Sequence, residues 1–492
     1  MTHQEYLEQI DRVICQGPYT DTWASLSEHP VPAWYRREKF GIFIHWGIYS
    51  VPAYGNEWYS RSMYDENNRE FAYHQNTYGH QKNFGYKDFI PMFRGEHFDA
   101  QRWVDIFASA GARFVMSVAE HHDGFAMYDT QFNRWNAKNM GPCVDYLGEL
   151  KKACEARGLQ FCASTHRAEH YFFMNLGRSF DSDVCQEEYA DFYGPAVYIP
   201  EYNSENMGPS SFNVLSPGPD ERYLQDWMVR TCELIDRYQP SILYFDWWIH
   251  NQAFKPYLKK IAAYYYNCAH QWGREVTINY KHEAFAPGVG TFDVERGALT
   301  DISPIPWQTD TAIGKQSWGY RADNSYKSAR QILCDLVDIV SKNGMLLLNV
   351  GPKADGTFAE EELQVLQKIG HWMQSNSEGI YDTVPWKRYG EGDVNNVAGF
   401  FQDSQEKAFT AQDFRFTYKQ GNLYVFQLRP DGQSIHIRSL AFRKDQDFLI
   451  RQVQLLGSEQ PLSHTRDQDG LHVQLPEGVC CDLPLCLRVQ ID

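Results

Sequence analysis

The sequence predicts an α/β protein: a (β/α)8-like barrel of the TIM type followed by a C-terminal antiparallel β-sandwich. Two observations carry this prediction. Short apolar segments alternate with helical patterns through most of the chain, whereas the C-terminal part alternates apolar and polar side chains between turns. The length of 492 residues also exceeds one average domain. We therefore expect a barrel domain over residues 1–386 and a sandwich domain over residues 387–492.

Eight apolar segments bounded by turn signals are the predicted barrel strands. They cover residues 40–47, 114–118, 159–165, 242–248, 276–281, 291–297, 306–311 and 345–351. Helical periodicity is clear in six segments, which cover residues 99–111, 146–158, 224–238, 256–272, 328–344 and 359–376. Helical patterns are weak between the fifth and seventh strands, so we expect an irregular barrel there. An open doubly wound sheet is the alternative, but the turn after the first strand lacks the glycine-rich phosphate-binding pattern.

The predicted sandwich begins after residue 386, where the pattern changes to alternating segments separated by turns. These segments cover residues 414–430, 434–442, 452–459 and 470–478. Alternation with a period of two is typical of strands with one buried face, which favours an antiparallel sandwich.

Charge and composition exclude several classes of partner. The net charge is −17 and no run of lysine and arginine occurs, so neither nucleic acid nor an anionic membrane surface is expected to bind. No apolar stretch is long enough to cross a bilayer, and the N-terminus lacks a signal-peptide pattern. The eleven cysteines form no CxxC pair, which favours reduced thiols. These observations predict a cytoplasmic protein.

Polar residues concentrate at the C-terminal ends of the predicted strands, where the working residues of a barrel lie. They are His45, His121, His122, Asp123, His166, His170, Asp246, Lys281, Glu283, Glu295 and Asp310. Each of them alone has an ordinary structural explanation, such as a turn, a cap or a satisfied buried histidine. Their convergence on one rim indicates a site.

Asp246 is the most unusual of these residues, because it ends an aromatic and branched apolar strand, SILYFDWWIH. An unpaired buried carboxylate costs several kcal/mol, and this stretch supplies no donors. We therefore expect donors from elsewhere in the chain to face Asp246.

Three classes of function could use such a rim. A metal-dependent hydrolase is disfavoured because His121 and His122 are adjacent and point in different directions. A sugar-binding barrel without catalysis would need aromatic rings and histidines but no paired carboxyl groups. A glycosidase needs two carboxyl groups, about 5–5.5 Å apart for retention and farther apart for inversion. The aromatic share of 15% and the tryptophans near the rim suit a sugar.

Several longer motifs are similar to those of the α-L-fucosidases of glycoside hydrolase family 29. They are KFGIFIHWGIYSVPAYGNEWYSRSMY, FDAQRWVDIFASAGARFVMSVAEHHDGFAMYDT, LYFDWW, SWGY and MLLLNVGPKADG. The resemblance implies a catalytic barrel with a sandwich and hydrolysis of terminal α-L-fucosides with retention, through a covalent fucosyl-enzyme intermediate. It implies a small-molecule or oligosaccharide substrate, no cofactor and no metal. The sequence leaves the oligomeric state open, with a homo-oligomer as one option.

The resemblance also suggests roles for individual residues. Asp246 matches the nucleophile of the family. Glu295 is the first choice for the acid/base, and Glu283 is the alternative. The residues expected to bind the sugar are His45, Glu57, Trp58, His121, His122, His166, Lys281 and Trp318. Three positions depart from the family pattern: Lys281 replaces an arginine, His166 replaces a tyrosine or serine, and Glu120 replaces a lysine before the histidine pair.

Overall fold

A computed structural model gives the fold of residues 1–198, 217–394, 397–403, 406–443, 448–479 and 482–492. The strands in these residues are β1 (Phe40–Ile44), β2 (Phe114–Glu120), β3 (Gln160–Thr165), β4 (Ile242–Phe245), β5 (Thr277–Tyr280), β6 (Thr291–Asp293), β7 (Trp307–Ala312), β8 (Gly344–Val350), β9 (Val384–Glu391), β10 (Phe414–Lys419), β11 (Asn422–Gln427), β12 (Ser434–Ile437), β13 (Ile450–Leu455), β14 (Ser463–Arg466), β15 (Leu471–Gln474) and β16 (Leu485–Ile491). The α-helices are α1 (His3–Gln16), α2 (Trp23–Leu26), α3 (Ala33–Glu38), α4 (Tyr59–Ser62), α5 (Arg69–Tyr78), α6 (Ala100–Ser109), α7 (Tyr146–Arg157), α8 (His170–Phe173), α9 (Ala190–Tyr193), α10 (Glu221–Tyr238), α11 (Lys255–Trp272), α12 (Ala329–Ser341) and α13 (Glu360–Asn376).

The first eight strands form a closed parallel barrel in chain order, and β1 pairs with both β2 and β8. The predicted fold class is therefore confirmed, and each predicted barrel strand overlaps an observed one. The strands are buried along almost their whole length. Strands covered by helices on one side and filled by side chains on the other need apolar residues at every position, which explains the continuous apolar runs.

The six predicted helices are α6, α7, α10, α11, α12 and α13. Capping residues define several of their ends. Asp99 accepts a hydrogen bond from the backbone of Arg102 at the start of α6, and Gly158 ends α7 with φ of +75°. Helix α1 was not among the predicted helices; it buries Tyr6, Ile10 and Ile14 and contacts α10 and α11.

The barrel is irregular between β5 and β7, as predicted. Two residue pairs join β5 to β6 and two join β6 to β7, whereas β1 and β8 share five. Residues 277–312 are all described, and no helix separates these three strands. This side of the barrel therefore lacks the outer helices that cover its other strands.

The C-terminal strands form two antiparallel sheets, in the orders β13-β16-β11-β10-β9 and β12-β15-β14. Their inner faces share one apolar core, to which Phe416, Val425 and Leu487 contribute from the larger sheet and Ile435 and Val473 from the smaller. The boundary near residue 386 stays a prediction. The first strand of the larger sheet begins at Val384.

Two further expectations concern membranes and thiols. No helix in the described ranges has both the length and the apolar composition of a membrane span. Nine of the eleven cysteines are described, and all nine are free thiols. Cys480 and Cys481 lie outside the described residues.

Candidate active site

A cavity of about 210 Å³ opens at the C-terminal ends of the barrel strands. The structure brings ten of the predicted site residues together around it. They are His45, Glu57, Trp58, His121, His122, His166, Asp246, Lys281, Glu295 and Trp318. Glu283 is exposed and does not line this cavity. The wall also contains Phe43, Asn56, Glu169, Tyr244, Trp247, Asp310 and Phe401, of which only Asp310 belonged to the predicted rim.

Asp246 follows β4 directly and receives hydrogen bonds from three neighbouring elements. His166 Nδ1 donates to its Oδ2 at 2.9 Å, and His122 Nε2 lies 3.4 Å from the same oxygen. Lys281 Nζ lies 3.0 Å from Oδ1. Burial alone would raise the pKa of Asp246, but Lys281, His166 and His122 outweigh burial and hold this pKa well below its ordinary value. The donors expected for this carboxylate are therefore present.

Glu295 lies two residues beyond β6, and its surroundings raise its pKa, whereas those of Asp246 lower the pKa of that residue. Its Oε2 accepts hydrogen bonds from Trp247 Nε1 and Lys281 Nζ. Burial raises the pKa of Glu295 to about 7; Lys281 opposes this rise, whereas the carboxylates of Asp310 and Asp246 reinforce it. Asp246 is thus ionised over the whole neutral range, while Glu295 carries a proton on the acidic side of pH 7.

Lys281 joins the two acids. Its Nζ contacts both Asp246 Oδ1 and Glu295 Oε2, so those two oxygens are no more than about 6 Å apart, twice a hydrogen-bond length. The same Nζ lies 3.7 Å from Asp310 Oδ2, which accepts a hydrogen bond from Tyr244 at 3.0 Å. Lys281 therefore contacts three carboxyl groups as one buried cation.

The hydrogen bonds of His122 and His166 determine their protonation. Burial lowers the pKa of His166, so its ring is neutral. Its Nδ1 donates to Asp246, and its Nε2 therefore accepts from Ser164 Oγ at 3.0 Å. His122 Nδ1 donates to the His166 carbonyl at 2.9 Å while its Nε2 faces Asp246, so both nitrogens need a proton. Burial disfavours this charge, but Glu169 and Asp246 outweigh burial and raise the pKa of His122. Both nitrogens of His166 are already engaged, and its expected contact with a sugar hydroxyl stays a prediction.

His45 has a defined tautomer. Asn349 Nδ2 donates to the Trp318 carbonyl at 2.7 Å, which turns Asn349 Oδ1 toward His45 Nδ1 at 2.6 Å. Nδ1 of His45 therefore carries the proton, and its Nε2 is an acceptor. Burial holds the pKa of His45 well below its ordinary value, so the ring stays neutral.

Glu57 and Trp58 belong to the loop after β1. Glu57 Oε2 accepts hydrogen bonds from Ser317 Oγ at 2.9 Å and from the backbone of Trp318 at 2.8 Å. This carboxylate thereby links the two loops that carry Trp58 and Trp318, whose rings give the cavity an apolar wall.

Glu169 lines the cavity but was not among the predicted site residues. It lies in the short 3-10 helix Arg167–Glu169 after β3, and its Oε2 is 3.5 Å from His122 Nδ1. Burial raises the pKa of Glu169 to about 7, although His122 opposes the rise. Only two residues separate it from His166 in the sequence, and the turn of the 3-10 helix brings it back to the cavity.

Glu120, the third departure from the family pattern, lies behind the histidine pair. It forms ion pairs with Arg167 and Arg230, and both arginines also contact Asp226, at 3.0 and 2.9 Å. The negative charge of Glu120 is therefore balanced within a buried ionic network. The cavity itself does not have to compensate it.

Three buried polar atoms of the cavity have no hydrogen-bond partner in the described part of the chain: His121 Nδ1, Glu169 Oε2 and Asp310 Oδ1. Buried polar atoms are normally satisfied. These three atoms are closed to solvent, so they are unsatisfied polar groups within the cavity wall.

Among the described residues, two groups could hold a metal ion: His45, His121 and His166, or His122, His166 and Asp246. The ligand atoms within each group lie within 4.8 Å of one another. Several of these atoms are already occupied, since His166 donates to Asp246 and His122 is charged. A metal at Asp246 would also face the Lys281 ammonium 3.0 Å from that carboxylate. The donor set therefore fits a metal poorly, and the absence of a metal stays a prediction.

Outside the cavity, the structure gives two other residues of the predicted rim structural contacts. His170 Nδ1 donates to the His122 carbonyl at 2.8 Å, and Asp123 accepts from Tyr86 at 2.8 Å. Both residues are buried and hold the loop after β2 in place.

Two acids whose pKa values are driven apart beside an aromatic wall satisfy the chemical requirement for cleaving a glycosidic bond. The fold and this site place the chain among the glycoside hydrolases. Comparison with known proteins identifies the family within the glycoside hydrolases. A family model described as α-L-fucosidase matches residues 7–378. The chain belongs to this family, glycoside hydrolase family 29.

Individual relatives and a solved structure that resemble this chain are also named fucosidases. Tissue α-L-fucosidase of Rattus norvegicus is 28% identical over 475 residues, 93% of this chain and 89% of that protein. Tissue α-L-fucosidase of Homo sapiens is 28% identical over 478 residues, 96% of this chain and 90% of that one. The structure of a Thermotoga maritima α-fucosidase in complex with fucose has a TM-score of 0.73 and 29% identity, covering 96% of this chain and 100% of that chain.

Proposed function

We propose that this protein is a retaining exo-α-L-fucosidase that releases terminal α-L-fucose from small glycosides or oligosaccharides by double displacement. The contact of one lysine, Lys281, with both acids carries the proposal, because it keeps their oxygens within about 6 Å. Retention requires carboxyl groups about 5–5.5 Å apart, whereas inversion needs room for a water between them.

In the first step Asp246 attacks the anomeric carbon as a carboxylate. The bond from C1 to the leaving oxygen breaks while Glu295 gives its proton to that oxygen. In the second step Glu295 takes a proton from water, whose oxygen attacks C1 and releases Asp246. Each step inverts the anomeric centre, so the product keeps the α configuration.

The remaining wall suits recognition of the sugar. The Nε2 of His45 is a hydrogen-bond acceptor, and the imidazoles of His121 and His122 also line the cavity. Fucose offers ring hydroxyls to such groups, while its C6 methyl needs an apolar surface such as the rings of Trp58 and Trp318. Galactose carries a hydroxyl at that carbon, and its desolvation against an apolar ring disfavours binding.

Labelling with 2-deoxy-2-fluoro-fucosyl fluoride followed by peptide mapping tests the sugar, the nucleophile and the stereochemical course together. We expect one adduct on the peptide that contains Asp246. With an ordinary α-L-fucoside as substrate, we expect NMR to detect α-L-fucose as the first product. An adduct on another residue, or β-L-fucose as the first product, contradicts the proposal.

Treatment with a chelator separates this mechanism from a metal-dependent one. We expect activity to be unchanged after dialysis against EDTA. Loss of activity that zinc restores would favour the metal-dependent alternative.

A further inference from the structure

Residues 397–403, which we call the C-terminal arm, return from beyond the barrel to its mouth. The arm pairs with the segment after β6: Gly399 donates its backbone N–H to the Ala298 carbonyl at 3.2 Å, and Phe401 donates to the Glu295 carbonyl at 2.9 Å. The arm is thus hydrogen-bonded to the backbone of the proposed acid/base.

The arm places two aromatic rings beside Trp247, the residue that donates to Glu295 Oε2. Phe400 lies 5.5 Å from the Trp247 ring and stacks on His282 at 5.1 Å. Phe401 is almost parallel to Trp247, with ring centroids 6.1 Å apart and an angle of 16° between the planes. Phe400 is packed against its neighbours, whereas Phe401 lines the cavity with 42% of its surface exposed.

The backbone of Phe401 is in the left-handed region, with φ of +58°. This conformation is unfavourable for a residue with a large side chain. Two hydrogen bonds hold it, one from its own N–H to Glu295 and one from Gln402 N–H to the Arg296 carbonyl at 2.7 Å. An exposed aromatic ring kept in an unfavourable conformation at the edge of a cavity contributes little to stability. Its position instead suits contact with a ligand in the cavity mouth.

The size of the cavity limits what lies inside it. At about 210 Å³ it is smaller than the ~300–1,000 Å³ of pockets for drug-sized ligands, so it suits a single sugar ring. The group attached to fucose must then lie outside, beginning at the oxygen that Glu295 protonates. Phe401 lies on that side, because its backbone is bonded to Glu295 and its ring faces Trp247.

We propose that Phe401 is the aromatic platform of a leaving-group subsite and contacts the apolar C–H face of the pyranose to which fucose is attached. This inference rests on the proposed function. It assigns the C-terminal arm to substrate selection and makes the preferred substrate a fucosyl saccharide with a sugar next to the cleaved bond. Phe401 contacts the leaving group alone and takes no part in bond breaking.

The test compares Phe401→Ala with the wild type on two substrates. The first is whichever disaccharide, fucose linked to galactose or to N-acetylglucosamine, the wild type cleaves fastest. The second is α-L-fucosyl fluoride, whose leaving group is too small to reach Phe401. We expect the ratio of kcat/KM for the disaccharide to kcat/KM for the fluoride to fall about tenfold, mainly through KM.

Two control variants accompany it. Phe401→Tyr keeps the ring and should retain the wild-type ratio. Phe442→Ala removes a phenyl ring that is 50% exposed and outside the cavity, and should also retain the ratio.

The outcomes separate the two proposals. An equal loss on both substrates in Phe401→Ala, or no loss on either, overturns the leaving-group subsite while leaving the fucosidase function intact. A wild type that cleaves neither substrate overturns the proposed function, and the subsite with it.

Discussion

The two sides of the barrel mouth differ in construction. Between β1 and β4 the strands are separated by helices, and this side supplies His45, the His121–His122 pair and His166. Between β5 and β7 no helix intervenes among residues that are all described, and this side supplies Lys281, Glu295 and Asp310. The regular side provides the histidines of the cavity, and the irregular side provides the lysine and two of the carboxyl groups.

The difference has a packing consequence. The segment after β6 has no helix behind it, and the C-terminal arm pairs with it instead. Thr311 on β7 likewise donates to Asp403 at the end of the arm. The absence of a barrel helix thus opens a place through which the second part of the chain reaches the site.

Replacing Asp246, where the two sides meet, should have the largest effect. We expect Asp246→Ala to lower kcat by on the order of 10⁴- to 10⁶-fold, the scale for loss of a covalent nucleophile. Sodium azide should restore part of the turnover on an activated aryl fucoside by attacking from the vacated face, giving the β-L-fucosyl azide. Formation of the azide product is measured by NMR. Rescue that yields an α-azide would contradict the assigned geometry.

Replacing Glu295 tests the irregular side alone. Glu295→Ala should slow cleavage of fucosyl disaccharides by about 10²- to 10⁴-fold, because their poor leaving groups need a proton. Activated aryl fucosides should be affected much less. The matched control is Glu283→Ala, since Glu283 is exposed and outside the cavity. If Glu283→Ala gives the leaving-group pattern instead, the acid/base assignment is wrong.

On the regular side, the ionic network of Glu120, Asp226, Arg167 and Arg230 should carry stability. Arg167→Met removes one partner of a buried pair and should lower the free energy of unfolding by about 3–5 kcal/mol. Lys152→Met, which removes the exposed pair of Lys152 with Glu149, should change it little. Denaturant unfolding of both variants measures the difference. Equal stability of the two variants would contradict a supporting role for the network.

The pH profile of the wild type should reflect the irregular side. Glu295 must be protonated at the start of the reaction, and its pKa is about 7, so kcat/KM should fall as the pH rises through 7. Asp246 must be ionised, and its pKa lies well below the ordinary value, so activity should persist to low pH. A kcat/KM that stays flat as the pH rises from 4 to 9 would contradict the assignment of Glu295 as the acid.

The smallest effect is expected for Glu169→Gln on the regular side. The pKa of Glu169 is about 7, so above pH 7 its charge supports the protonated His122 3.5 Å away. The variant should lose activity a few-fold at pH 8 and less at pH 5.5, because Glu169 is already neutral at the lower pH. Parallel pH profiles of wild type and variant provide the measurement. An equal loss at both pH values would indicate a structural role.

The strands and main helices were predictable because each depends on a local pattern: continuous apolar runs for buried strands, and periodic apolar faces with caps for helices. The position of Asp246 at a strand end was predictable for the same reason. The sharing of Lys281 between Asp246 and Glu295 was not, because it depends on the distances between the ends of three neighbouring strands.

Two residues of the site left even less signal in the sequence. Glu169 reaches the cavity through a single 3-10 turn, which has no clear periodic pattern. Phe401 reaches it from beyond the barrel by backbone pairing with residues about a hundred positions earlier, and local patterns do not reveal such long-range pairing.

Asp246 and Glu295 share the ammonium of Lys281, but only Asp246 also receives His166 and His122. Two carboxyl groups beside one cation, with no other difference in their surroundings, would compete for a single proton, as a dyad does. Either acid could then be the one that is ionised at a given moment, and the division of labour between attack and proton donation would be lost. The two imidazoles on one side of the shared cation thus make the pair of acids directional.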